Sequence, residues 1–191
     1  MRKFQRKRGM ISTRLSQDEV ELLGSLVIQL VELVSDGQPE GFADTPPSGD
    51  PFDRLVQDLQ VDPDAPEVPD DPVLRRLFPT AYPHDAAASS DFRRFTERDL
   101  KAKKVLDAQT VLRGLAETQG GARDLRIPPT DVESWLRTLT SVRLAVATRL
   151  GISDAESADA LYTLPEDDPR SFMVSVYDWL GFAQETLISA L

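Results

Sequence analysis

Three groups of residues have types and spacings that could do chemistry. The densest is basic: Arg75, Arg76, Arg93, Arg94, Arg98, Lys101, Lys103 and Lys104 crowd the stretch from Asp71 to Lys104. Guanidinium and ammonium groups at this density can present a surface to phosphate or to an acidic protein. Asp91, Glu97, Asp99 and Asp107 lie within helical reach and can instead neutralise them along one helix. Arg75, Arg76, Arg93, Arg94 and Lys101 form the candidate partner surface. The second group is an N-terminal arm containing Arg2, Lys3, Arg6, Lys7 and Arg8, with no acid before Arg14. Such an arm can meet nucleic acid or lie against its own acidic body, and no base-stacking aromatic pattern accompanies it. The third group is a pair. Asp99 falls on the stripe Phe92, Phe95, Asp99, Ala102, Leu106, and Arg143 on the stripe 132, 136, 139, 143, 146, 150, so the two are expected to meet as a structural ion pair between helices.

Familiar catalytic devices are missing. His84 is the one histidine, there is no cysteine or asparagine, and no P-loop, dinucleotide-binding glycine fingerprint, HExxH or G-x-S-x-G occurs. His84, between Pro83 and Asp85, could serve as a base or pH sensor but also suits an exposed position beside a helix cap. Asp62, Asp64, Glu67, Asp70 and Asp71 could hold calcium loosely, yet they lack EF-hand spacing and read as a solvated acidic loop. The expectation is a protein without catalytic residues, metal or cofactor. The missing thiols also exclude a disulfide framework and an intrinsic thiol switch.

These residues must be positioned by 191 residues, of which 40% are hydrophobic and 28% charged, proportions ordinary for a globular chain. We expect one domain over 1–191, with a basic arm at 1–15 and a proline- and acid-rich insert at 36–70. The net charge is −10. Because the arm is basic, the body is more acidic still and should repel nucleic acid away from local basic patches. No apolar run is long enough to span a bilayer, and the basic N-terminus lacks the apolar segment of a secretory signal, so a cytoplasmic protein without membrane association is expected.

The arm reads as a two-stranded hairpin turned at Arg8-Gly9. Ser16 and Glu19 form a capping box ahead of an apolar stripe to about Ser35. Asp50-Pro51 can open a short helix inside the insert, and Asp71-Pro72 a second one before Pro79 and Pro83 turn the chain. Asp85 caps a helix running to about Glu117, and GGARDLRIPP breaks the chain. Thr130 and Glu133 suggest another capping box for a helix ending at Gly151. Residues 153–164 suit a short acidic helix, and Asp168-Pro169 introduces the last. The resulting fold class is mainly α: an irregular bundle of four main helices, near 17–35, 86–117, 131–150 and 169–190, plus short helices and the N-terminal β-hairpin.

The segments DPVLRRLFPTAY, DFRRFT, SVRLAVATRLG and VYDWLGFAQETLISAL, in this order and spacing, resemble an actinobacterial family classed as a domain of unknown function that includes the oxidative-stress regulator AosR. The resemblance runs from Ser16 to the C-terminus. It implies a non-enzymatic cytoplasmic regulator acting through protein contacts with a stress-type sigma factor or RNA polymerase. In that branch oxidation is sensed by a pair of N-terminal cysteines; here MRKFQRKRG has none, so thiol redox sensing is not expected. An adaptor in Clp-type protein turnover is the alternative, and an enzyme without recognisable motif the third reading. Direct nucleic-acid binding and a homodimer stay open.

Overall fold

A computed structural model describes residues 1–7, 9–35, 69–165 and 167–191. Arg8, the short helix expected at Asp50-Pro51, and Asp62, Asp64 and Glu67 lie outside the described residues. In chain order the elements are β1 (Gln5–Lys7), β2 (Met10–Thr13), α1 (Gln17–Val34), α2 (Pro72–Leu77), α3 (Ala86–Glu117), β3 (Leu125–Ile127), α4 (Val132–Arg149), α5 (Ala155–Leu161) and α6 (Ser171–Ile188). The mainly α class and the N-terminal hairpin are as the sequence predicts.

Local chemistry explains most boundaries. Ser16 Oγ accepts from the Glu19 amide at 3.2 Å, and Glu19 Oε2 accepts from the Ser16 amide at 2.8 Å, completing the capping box. Asp71 caps α2 through the Val73 amide at 2.7 Å, and Asp85 caps α3 through the Ala88 amide at 2.9 Å. Gly151 takes a φ of +77° where α4 ends. The expected Thr130–Glu133 box does not form. Asp131 occupies the N-cap in a helical conformation and makes no side-chain cap bond, while Glu133 pairs with Arg137 one turn on.

The break at GGARDLRIPP holds a strand. β3 pairs antiparallel with β2, Ile11 opposite Ile127 and Thr13 opposite Leu125, so the hairpin becomes a three-stranded sheet in the order β1-β2-β3. Ile11, Leu125 and Ile127 are buried, and Phe4 from the arm joins the same core.

Helix α4 is the centre of the bundle, packing against α1, α2, α3 and α6. Its Trp135 is buried against α3 at Gly114, where an added Cβ would lie 2.9 Å from the indole Cζ2. Val105, Ala108, Val111 and Leu115 of α3 face inward, with Val27, Leu139, Val142, Leu180 and Leu187 from the neighbouring helices. Along the first half of α3 the same inward side carries Arg93, Glu97, Lys101 and Lys104, spaced by about one turn. The stripe of Phe92, Phe95, Asp99 and Leu106 lies roughly half a turn away and is exposed. Its expected burial is therefore corrected: the aliphatic residues of the second half of α3 set which side packs.

Candidate protein-contact surface

Two tethers fix the region from Asp71 to Lys104. Asp71 Oδ2 accepts from Arg149 Nη2 at 2.6 Å, so the carboxylate that caps α2 also ties it to α4. Slight burial would raise the Asp71 carboxyl, but the bonds from Arg149 and the Val73 amide together hold it below its ordinary range. Val73, Leu74, Leu77 and Phe78 point into the core, leaving Arg75 and Arg76 outside. Lys104 then reaches inward from α3, its Nζ 3.1 Å from Ser141 Oγ and 5.7 Å from the centre of the Phe78 ring. Burial lowers its ammonium pKa, with Asp107 acting against the shift.

Between α2 and α3 the turn is closed by one hydroxyl. Ser89 Oγ donates to the Tyr82 carbonyl at 2.7 Å and accepts from the Tyr82 amide at 3.1 Å. This sets the Tyr82 ring edge-on to Phe92, with centroids 6.0 Å apart. His84 is exposed beside the cap and has no hydrogen-bond or salt-bridge partner among the described residues. One turn along α3, Phe95 is 63% exposed and the Arg94 guanidinium lies 4.8 Å from its ring centre. Tyr82, Phe92, Phe95 and Leu106 are thus large apolar groups open to solvent on the outer side of the bundle.

The five basic residues expected to share a partner surface do not share one. Arg93 is buried and pairs with Glu97 at 3.0 Å, and Lys101 is half-buried and bound to the same carboxylate at 3.0 Å. Those two belong to an ionic ladder on the inner side of α3; Arg75 and Arg76 remain outside, and Arg94 is half-buried beside Phe95. The expected Asp99–Arg143 pair is absent from the salt bridges of the described residues. Asp99 is exposed on the outer side, whereas Arg143 lies over the Tyr177 ring, 4.7 Å from its centre. Continuing the Val105, Ala108, Val111, Leu115 stripe backward through Lys101 and Glu97 to Arg93 would have given the inner side. The two phenylalanines were the stronger local signal and lie on the other one.

In the arm, Arg2, Lys3, Arg6 and Lys7 are exposed around the buried Phe4. The Arg2 amide donates to the Arg14 carbonyl at 3.2 Å, Arg6 Nη1 donates to the Leu191 carbonyl, and Arg14 pairs with Asp124 at 3.1 Å. Part of the basic arm therefore lies against the body. Among the described residues no three histidine, aspartate or glutamate side chains converge as a metal site would require, and no helix is long and apolar enough to cross a membrane.

With this geometry in hand, comparison with known proteins gives one family. The sequence profile of a domain of unknown function, DUF2017, matches residues 1–191. Proteins named oxidative stress regulator AosR from Mycobacterium bovis and Mycobacterium tuberculosis are each 28% identical over 162 residues, spanning 79% of this chain and 72% of theirs. A Mycobacterium leprae protein whose name also carries AosR is 28% identical over 186 residues, 91% of this chain and 78% of its own. No solved structure matches significantly.

Proposed function

The chain belongs to the DUF2017 family, and from that premise we propose that it is a regulatory protein that acts by binding another protein through the outer side of α3, without catalysis of its own. The observation that carries this reading is the row of solvent-exposed Tyr82, Phe92 and Phe95 with Arg94 stacked beside it. Aromatic residues and arginine are the groups most often found at the energetic centre of protein interfaces, and adjacent exposed aromatics mark such sites on a soluble surface. The similarity to proteins named oxidative stress regulators supports a regulatory role. The partner in this proposal is a stress-type sigma factor or RNA polymerase in the cytoplasm. With no cysteine in the chain, its signal is not read by a thiol of its own.

Binding of the purified protein to RNA polymerase core and to individual sigma factors tests this directly. Saturable binding to one of them is expected, weakened at least about tenfold by Phe95→Ser combined with Arg94→Ser, since loss of a central hot spot costs about 2 kcal/mol or more. The circular dichroism of the variant should match the parent. Equal binding by parent and variant would overturn the assignment of the surface. Binding to Clp components in place of the transcription proteins would overturn that of the partner.

A further inference from the structure

A second feature lies away from the α3 surface, where α4, α5 and α6 border an open, shallow groove of about 760 Å³ beside Arg143. This arginine is half-buried. Its Nη2 donates to Tyr177 Oη at 3.3 Å, its Nε is buried without a hydrogen-bond partner, and no salt bridge among the described residues includes it. A half-buried guanidinium in no salt bridge among the described residues can take a carboxylate from the groove through the part of it that solvent reaches, in a charge-assisted contact. Gly181 keeps the space: a Cβ there would sit 3.3 Å from Nη2.

The rest of the lining determines what kind of carboxylate fits. Asp159, Asp178 and Glu185 border the groove, so a simple anion would meet one arginine and three acids. A simple cation would meet the arginine. A molecule carrying both charges satisfies both, and Asp178 is already oriented, because Tyr162 Oη donates to its Oδ1 at 2.6 Å. Phe182 and Ile188, 36% and 53% exposed, offer apolar surface between the charges. The volume is in the range of small-molecule sites, which combine apolar lining with a few convergent polar groups.

We infer that this groove binds a free amino acid with an apolar side chain, its carboxylate held by Arg143 over Tyr177 and its ammonium by Asp178 and the neighbouring acids. The site would give the protein a small-molecule input independent of the α3 surface. Isothermal titration of the full chain with L-phenylalanine, L-leucine and L-methionine tests it, using the amino-acid amides, which lack the carboxylate, and the N-acetyl acids, which lack the ammonium, as controls. Saturable binding of at least one free amino acid is expected, weakened at least about tenfold by either blocking group and by Arg143→Met or Asp178→Asn, each of which removes one charge-assisted contact. Asp178 is exposed, so its variant keeps the test valid if Arg143→Met does not fold. Absence of saturable binding up to about 10 mM, or blocked forms that bind as well as the free ones, would overturn the inference.

Discussion

At the scale of single residues, the charges on the inner side of α3 form one ladder. The Glu97 carboxylate holds both the buried Arg93 and the half-buried Lys101, at 3.0 Å each. Removing it strands a buried guanidinium, the expensive species in any buried pair. Glu97→Leu should therefore cost about 3 kcal/mol, and Arg93→Met with Glu97→Leu should cost less than the two single losses together, as read by urea unfolding; additive losses would show that the two do not act as a pair. Glu19 gives a pH-dependent counterpart. Burial alone would raise its carboxyl, but bonds from the Met1 ammonium, the Ser16 amide and Trp179 Nε1 together lower it below its ordinary 4.5. A carboxyl depressed in the folded state adds stability that is complete above its unfolded pKa and is lost as pH falls through the folded one. Glu19→Gln should thus be less stable than the parent at pH 7, with the difference shrinking as pH falls below 4.5. A gap that persists unchanged in acid would remove the charge from the explanation.

Elements show a division between what neighbouring residues decide and what distant ones decide. The caps at Ser16, Asp71 and Asp85 and the stop at Gly151 were legible because each is a bond or a dihedral within a few residues. The Thr130–Glu133 box has the right letters, but Asp131, one residue later, takes the cap position in a helical conformation. Strand β3, three residues long, was not legible at all, since only the edge of β2 gives Leu125 to Ile127 a partner. The turn leading into it offers a sharp test. Gly121 has a φ of +81°, and a Cβ there would lie 2.8 Å from the Leu15 carbonyl oxygen, where β2 meets α1. Gly120 has a φ of +64° but open space around it. Gly121→Ala should cost about 3 kcal/mol, combining left-handed backbone strain with overpacking against main chain. Gly120→Ala should cost about 1 kcal/mol from the backbone alone. Thermal unfolding that ranks the two equally would refute the close approach.

For the whole molecule, the basic arm is part of the fold as well as a store of charge. Phe4 is buried in the core and β1 pairs along β2. Deleting residues 1–9 should cost about 3 kcal/mol or more, as loss of a buried phenylalanine does, whereas Lys3→Gln with Lys7→Gln should change stability by less than about 0.5 kcal/mol. The charge variant is therefore the one to use when DNA affinity is measured against salt; an unchanged salt slope would show that these lysines do not neutralise phosphate. The sequence by itself determined the helical class, the caps at Ser16 and Asp85, the hairpin, and the absence of any thiol chemistry, because these depend on residue type and on contacts within one turn; the last two main helices, which start at Val132 and Ser171, begin without a side-chain cap bond. Only the tertiary structure decided which side of α3 is inside. That helix carries two stripes about half a turn apart, one with phenylalanines and one with charges running into aliphatics, and its own periodicity is the same for either. Packing of Val105, Ala108, Val111 and Leu115 against α1 and α4 buries the charged stripe and turns Phe92, Phe95 and Asp99 to solvent. The same choice separates Asp99 from Arg143 and leaves that arginine over Tyr177, in no salt bridge among the described residues.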